Sequence, residues 1–239
     1  MPILEGKGVT KYFGGLAAVS NVYFNVERGE IVGLIGPNGA GKTTLFNLIS
    51  AALPTQQGTI TFNDRKITGM KSHQICKLGI ARTFQSVKIF PNLSVFGNVT
   101  LGALFGKSSS ISSGTAAKEA EELLDFVGLT AFKDTPAKDL TLVNQKRIEV
   151  GRALATDPEL ILLDELMAGL NHTEITETME MVSRIRDKGI TILMIEHVMK
   201  AIMSICDRII VLHHGETIAE GTPEEVSTSE KVIEVYLGE

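Results

Sequence analysis

Eight residues of this sequence, from Gly36 to Thr43, have types and spacing suited to binding phosphate groups. They read Gly-Pro-Asn-Gly-Ala-Gly-Lys-Thr and match the pattern G-x-x-x-x-G-K-T. In such a loop the backbone N–H groups converge on one spot, where they stabilise negative charge. Lys42 adds a positive charge for the outer phosphates, and the hydroxyl of Thr43 can bind a magnesium ion that bridges them. The sequence therefore predicts a nucleotide-phosphate site.

The segments on either side of this loop predict how it is held. Residues 31–35 form an apolar, β-branched run that is typical of a buried strand. Beyond the loop, apolar residues recur at helical spacing, at Leu45, Phe46, Leu48 and Ile49. A strand, a loop and the N-terminus of a helix therefore follow one another, and the positive end of the helix dipole adds to the phosphate site.

Polar residues follow three other apolar runs, each of which predicts a buried strand. These runs cover residues 79–84, 160–163 and 190–195. The polar residues are Gln85, Asp164, Glu165 and His197. Each one alone has an ordinary structural explanation, such as capping a turn or filling space at a strand end. Because the carboxyl ends of parallel strands share one edge of a sheet, we expect all four near the phosphate loop.

The chemistry of these four side chains suits nucleotide hydrolysis. A carboxylate directly after an apolar strand, as at Asp164, is how many NTPases hold their magnesium ion. Glu165 can orient or deprotonate an attacking water, and His197 can bond a terminal phosphate.

The order of the predicted elements indicates an α/β fold. Strand-like runs at residues 3–10 and 22–26 precede the phosphate loop, and apolar strands alternate with helices again after about residue 156. Between them, residues 90–155 read as a helical insertion, with helices at 101–105, 116–127 and 148–155 and a serine-rich loop at 107–114.

Composition limits the function classes. The chain has 239 residues and a net charge of −5, which gives no indication of a nucleic-acid partner. Its apolar runs are far shorter than the roughly 18 residues that a membrane span needs. The N-terminus lacks the pattern of a secretory signal, and the two cysteines have no metal or disulfide spacing. These features favour a soluble, cytosolic protein with reduced cysteines.

At this point the sequence resembles a known family, the ATPase subunits of ABC transporters. The motifs, in chain order, are Phe13 (or its neighbour Tyr12), Gly36 to Thr43, Gln85, Leu160 to Glu165, Ala168-Gly169-Leu170-Asn171 and His197. They are similar to the family's adenine loop, Walker A, Q-loop, Walker B, D-loop and H-loop. Four further stretches resemble the subunits of branched-chain amino acid importers, namely 82–85, 90–95, 151–155 and 168–171.

The resemblance implies a P-loop NTPase fold with a mostly parallel sheet core, an N-terminal antiparallel β region and an inserted helical subdomain. Residues 1–239 would form a single ABC-type ATPase domain. Its ATP-binding core would comprise residues 1–90 and 156–239, and its helical signature subdomain residues 91–155. ATP and Mg²⁺ are the implied cofactors.

The resemblance also implies a role for each site residue. Lys42, Glu165 and His197 would be catalytic. Nucleotide would be bound by Phe13, which stacks on adenine, and by Gly36, Pro37, Asn38, Gly39, Ala40, Gly41, Lys42, Thr43, Thr44, Gln85 and Thr141. Thr43, Gln85 and Asp164 would hold the metal ion.

Several partners follow from the same resemblance. The family's ATPases work as head-to-tail dimers, formed here with a second copy or a paralogous subunit. The region from Gln85 to Val99 would contact membrane permeases on the cytoplasmic face, and a substrate-binding protein would take part indirectly. The transported solute would be a branched-chain amino acid or a similar small polar solute.

The sequence departs from the family at the signature motif. L-S-G-G-Q is usual there, whereas this chain has Leu-Thr-Leu-Val-Asn at residues 140–144. Leu166 replaces the usual Pro, and Asn171 replaces the usual Asp. We expect Thr141 to be the N-cap of the following helix and to supply the signature hydroxyl.

Three alternatives to an active transport ATPase are considered. The altered signature is compatible with a nucleotide-dependent conformational switch whose hydrolysis is weak or vestigial. A soluble family member in DNA repair or translation is disfavoured, because such proteins usually carry two ATPase halves. A P-loop GTPase or a kinase is less favoured still, since the sequence has no N-K-x-D guanine motif.

Overall fold

Six strands form the central sheet of the computed structural model, which describes residues 1–237. The strands of the described chain are β1 (Leu4–Phe13), β2 (Leu16–Val26), β3 (Ile31–Ile35), β4 (Gln57–Phe62), β5 (Arg65–Lys66), β6 (Ile80–Arg82), β7 (Leu160–Asp164), β8 (Thr191–Ile195), β9 (Arg208–His213) and β10 (Glu216–Gly221). The helices are α1 (Lys42–Ile49), α2 (Ser72–Lys77), α3 (Val95–Phe105), α4 (Ser113–Phe126), α5 (Leu142–Leu154), α6 (His172–Asp187), α7 (Met199–Ile205), α8 (Pro223–Thr228) and α9 (Glu230–Leu237).

The central sheet has the order β10-β9-β3-β8-β7-β6. Neighbours from β9 to β6 are parallel, and only the edge pair of β9 and β10 is antiparallel. Every residue of β3, β7 and β8 is buried, as expected for parallel strands with helices on both faces. The predicted mostly parallel core is therefore present, and its carboxyl edge carries the loops after β3, β6, β7 and β8.

A second, antiparallel sheet flanks this core, with the order β2-β1-β4-β5. The strand-like N-terminal runs are both confirmed, but each strand is longer than the alternation indicated. β1 extends to Phe13, so the aromatic residue predicted to lie in a loop is the last residue of a strand. Gly14 and Gly15 form the turn. The aromatic side chain at the end of β1 is thus held by strand pairing.

The two faces of the central sheet belong to different apolar cores. Along β3, Val32 and Leu34 pack in a core with α1 and the antiparallel sheet. Ile31 and Ile35 point the other way, into a core shared with helices α3 to α9. This alternation is the period of two expected of a strand.

Three helices, α3, α4 and α5, make up most of the predicted helical insertion. α3 approaches α5 closely, because a Cβ on Gly102 would lie only 2.4 Å from the carbonyl oxygen of Arg152. α4 begins at Ser113, inside the predicted loop, with the hydroxyl of Ser112 accepting from Thr115 N at 3.1 Å.

α5 begins at Leu142, directly after Thr141, the predicted N-cap, and it contains residues 148–154 of the predicted helical run. The predicted bounds of β6 were wrong. β6 spans only residues 80–82, shorter than the predicted 79–84, because Gly79 has a positive φ of 107° and the chain turns away from the sheet after Thr83. No helix within residues 1–237 is both long and apolar enough to cross a membrane.

Candidate functional site

The loop between β3 and α1 owes its shape to glycines. Gly36 and Gly41 have φ values of 147° and 102°, a region that side chains disfavour. A Cβ at Gly36 would lie 2.0 Å from Leu212 O, and one at Gly41 would lie 2.3 Å from Ala18 O. The loop therefore packs its backbone directly against neighbouring backbone, and only glycine fits at these two positions.

Lys42 begins α1 and is buried beneath this loop. Its ammonium donates to the carbonyl oxygens of Gly36 at 2.6 Å and Pro37 at 2.9 Å. The N-cap residue, Gly41, offers no side chain to the first N–H groups of the helix. The helix start thus presents N–H groups and a cation together, which is a site for an anion.

Glu165 lies between two of the other predicted residues. Its Oε2 accepts from the amide nitrogen of Gln85 at 2.8 Å, and its Oε1 lies 3.1 Å from His197 Nε2. A carboxylate can only accept here, so the His197 tautomer that fits carries its proton on Nε2. The ends of β6, β7 and β8 therefore converge at one carboxylate, as the sequence predicted.

A cavity of about 350 Å³ joins this cluster to the phosphate loop. The predicted residues that line it are Phe13, residues 38–44, Gln85, Glu165 and His197. Phe13, which is 48% exposed, lines it, whereas Tyr12 does not. Gly36 and Pro37 lie below the cavity, where their carbonyl groups hold Lys42.

Asp164 is placed behind the cavity, at the end of β7. Its Oδ2 forms an ion pair with Arg82 at 2.9 Å, and both side chains are buried, at 1% and 7% exposed. The other oxygen, Oδ1, is buried without a hydrogen-bond partner. Burial raises the pKa of Asp164 above its usual value, and the Arg82 guanidinium opposes that rise.

Thr141 does not line this cavity, and its predicted capping bond is absent. It is the N-cap of α5, but its side chain accepts no hydrogen bond from the helix. The neighbouring carbonyl of Leu140 is instead bonded by the side-chain amide of Gln145 at 3.0 Å. Thr141 is exposed.

Three charged residues near the site were missed by the sequence interpretation as functional candidates. Arg82 pairs with Asp164, Lys146 binds the backbone after β7, and Glu196 accepts from Met167 N. Two of them could have been found in the sequence from a charged residue inside or beside an apolar run: Arg82 lies in β6, and Glu196 follows β8.

Sequence comparison identifies the family to which this site belongs. The family described as "ABC transporter" matches residues 19–168, which include the phosphate loop and Glu165. The chain belongs to the ABC transporter ATP-binding family. As an ABC cassette it is an ATP-binding ATPase subunit of a transporter, so the predicted enzyme class is confirmed. A second profile, of branched-chain amino acid ATP-binding cassette transporters, matches residues 216–239.

Full-length relatives of this ABC cassette are known. It is 39% identical over 251 residues to LivG, a high-affinity branched-chain amino acid transport ATP-binding protein of Salmonella typhimurium, covering 100% of this chain and 98% of LivG. It is also 34% identical over 239 residues to LptB, the lipopolysaccharide export system ATP-binding protein of Escherichia coli K12, with the same coverage. The predicted resemblance to the branched-chain amino acid type is confirmed by the first relative.

Solved structures of ABC cassettes share the fold. The ADP conformation of one cassette has 31% sequence identity and a TM-score of 0.89, with 100% of each chain covered. A dimeric cassette bound to ADP and phosphate in a post-hydrolysis state has 28% identity and a TM-score of 0.84, covering 92% of this chain and 98% of its own. The predicted P-loop NTPase fold is therefore confirmed.

Proposed function

We propose that this cassette binds MgATP in the cavity described above and hydrolyses it to drive import of branched-chain amino acids or a similar small polar solute. The arrangement of Glu165 between Gln85 and His197, facing the phosphate loop, is the observation that carries the hydrolytic part. The similarity to LivG and the profile match at the C-terminus support the solute class.

The donors around Asp164 fit a magnesium ion. Mg²⁺ prefers oxygen ligands and usually completes its shell with phosphate oxygens and water. The hydroxyl of Thr43 and the amide of Gln85 line the cavity, and the unpartnered Oδ1 of Asp164 lies just behind it. Within residues 1–237 no cluster of three His, Cys, Asp or Glu side chains could hold a metal. When bound, Mg²⁺ would neutralise charge on the phosphate oxygens.

The side chains then divide the work of hydrolysis. Lys42 and the N–H groups of the loop would bind the β- and γ-phosphates, and Phe13 would stack on adenine. Glu165 would orient the attacking water and accept its proton, while Gln85 fixes one carboxylate oxygen. His197 Nε2–H, now on Glu165, would donate to the γ-phosphate as ATP enters. Each of these groups already lines one cavity.

A second subunit, a copy of this chain or a paralogue, would complete the site with its residues 140–144. Thr141 is exposed and does not cap its own helix, so its hydroxyl is suited to a facing phosphate. Leu142 is exposed too, but its Cδ2 lies 3.4 Å from where a Cβ on Gly169 would be. Leu142 thus rests against the D-loop of its own chain, which keeps part of its bulk away from the partner's nucleotide.

A second cavity, of about 410 Å³, supplies the docking place for the permease on the cytoplasmic face. It lies between the ATP-binding core and the helical subdomain that we assign to residues 91–155. Exposed aromatic rings of Phe84, Phe90 and Phe105 line it, together with the charged Glu149 and Arg152. Apolar rings with a few charges suit a short amphipathic segment of a membrane protein. The substrate-binding protein would act on the permease from the opposite side.

The substitution Glu165→Gln tests this function. It should leave ATP affinity unchanged, abolish steady-state phosphate release and accumulate an ATP-bound dimer on size exclusion, because the base is lost and the phosphate site is intact. The exposed Glu122 on α4 offers a matched control, and Glu122→Gln should behave as the wild type.

Reconstitution with the permeases distinguishes an ATPase from a conformational switch. An active transport ATPase should release phosphate faster when solute and binding protein are present. Wild-type protein that binds ATP without any permease-stimulated release would establish the switch with vestigial hydrolysis. Unchanged turnover in Glu165→Gln would remove Glu165 from its proposed role.

A further inference from the structure

The backbone that carries Glu165 has an unusual conformation. Glu165 has a φ of 50°, in the left-handed region that residues with side chains seldom adopt. Such a conformation persists only where its surroundings determine it. The N–H of Glu165 is held by Ile195 O at 2.9 Å, which fixes one side of the residue. The contacts of the Glu165 carbonyl group therefore also help to determine where its carboxylate points.

Lys146 supplies that second hold. It lies on α5, is only 5% exposed, and was not assigned a function above. Its ammonium donates to the carbonyl oxygens of Glu165 at 3.0 Å, Leu166 at 2.9 Å and Ala168 at 2.7 Å. An ammonium has three N–H donors, so all three are used on one stretch of backbone.

Glu196 holds the same stretch from another side. It follows β8, is 2% exposed, and accepts from Met167 N at 2.8 Å through Oε1. The segment 165–168 thus has a cation on its carbonyl groups and a carboxylate on an N–H group between them. Each buried charge thus faces backbone groups of opposite partial charge. Reversing either charge would place it against backbone groups of the same sign.

We propose that Lys146 and Glu196 are positioning residues for ATP hydrolysis, which hold segment 165–168 so that the Glu165 carboxylate faces Gln85 and His197. Neither residue touches the nucleotide cavity, so both act through Glu165. Lys146 also follows Asn144 by only two residues, on the helix that begins at Leu142. Residues 140–144, proposed to contact the partner's nucleotide, are therefore connected through Lys146 to Glu165, which is proposed to act on this subunit's own nucleotide.

The substitution Lys146→Met tests this inference, since methionine keeps an unbranched apolar stem and removes every donor. We expect kcat to fall at least about tenfold, as expected for loss of hydrogen bonds to a charged group. The KM for MgATP and the affinity for ATP should stay within about twofold, because the phosphate loop is untouched. Lys146→Arg keeps a charged donor for several carbonyl groups and should restore kcat to within about threefold of the wild type.

Controls separate positioning from a loss of folding. Lys118→Met, on the exposed face of α4, should leave kcat unchanged. The melting temperature and ATP affinity of each variant show whether it folds. If Lys146→Met does not fold, Lys146→Gln, whose amide keeps a donor for one carbonyl, replaces it with the same expectation for kcat.

The inference rests on the proposed role of Glu165, and a double substitution keeps the two distinguishable. In a Glu165→Gln background, Lys146→Met should reduce the residual single-turnover rate less than about threefold, because the group it positions is already gone. A full tenfold loss in both backgrounds, or a kcat for Lys146→Met within twofold of the wild type, would overturn the inference. If Glu165→Gln itself retains turnover, the proposed function fails instead.

Discussion

Removing Arg82 should cost this protein a large part of its stability, because it would strand Asp164 in the interior. The guanidinium donates to Asn47 Oδ1 at 2.7 Å, Ser50 Oγ at 2.9 Å and Asp164 Oδ2 at 2.9 Å. Methionine in its place keeps the apolar stem and loses all three bonds. The Asp164 carboxylate would then be buried with neither oxygen paired.

The expected magnitude follows from the burial of this pair. Breaking a buried ion pair by removing one partner costs about 3–5 kcal/mol, because an uncompensated charge is left inside. For a chain of this size each kcal/mol lowers the melting temperature by roughly 2–4 °C. Arg82→Met should therefore melt roughly 6–20 °C below the wild type. Burial already raises the pKa of Asp164, and loss of the guanidinium should raise it further.

Urea unfolding at pH 7 of a double-mutant cycle measures the effect. Arg82→Met with Asp164→Asn should be more stable than Arg82→Met alone, because no buried charge is left. Arg186, whose NH2 lies 3.5 Å from Asp187 on the surface, provides the control. Arg186→Met should cost less than about 1 kcal/mol. If Arg82→Met costs as little stability as Arg186→Met, or if adding Asp164→Asn brings no recovery, Asp164 does not depend on Arg82 for its charge compensation.

Two further outcomes are expected. Lys42→Ala removes the cation of the phosphate loop. It should therefore abolish ATP binding, measured with a fluorescent nucleotide, and ATP-dependent dimer formation, measured by size exclusion. Tight ATP binding by this variant would contradict the proposed phosphate site. Burial raises the pKa of Glu196 from 4.5 to about 7, with the Lys146 ammonium opposing this and the Glu165 carboxylate adding to it. The stability that this proton linkage contributes is fully present below pH 4.5 and is lost as the pH rises through 7. Urea unfolding at pH 6 and pH 8 should show the wild type losing on the order of 1 kcal/mol more than Glu196→Gln; equal losses would contradict the assignment.

The parts of the fold that could be predicted depend on local pattern. The runs at residues 31–35 and 160–163 consist of apolar, mostly branched residues, and both are fully buried strands. The phosphate loop and the polar residues at the strand ends were predictable because a parallel sheet brings its carboxyl ends to one edge. Glu165, Gln85 and His197 meet there as expected.

What could not be predicted depends on contacts between distant parts of the chain. Arg82 and Asp164 lie on neighbouring strands that are joined only by tertiary structure. Lys146 stands in a polar stretch that reads as solvent-exposed, yet the loop after β7 buries it. Thr141 has the residue type of an N-cap, but its side chain makes no capping bond. Residue type alone does not decide these outcomes.

The separation of the two apolar cores by the central sheet has a mechanical consequence. α1, which carries the phosphate loop, buries its side chains in one core, and α5 buries its side chains in the other. A rigid-body rotation of the helical part would therefore slide over one face of the sheet without disturbing the packing of α1. Force would pass between the two cores chiefly through side chains that reach around the sheet. Arg82 is one of them, because it stacks over Phe46 of α1 and is bonded to Asp164 at the end of β7.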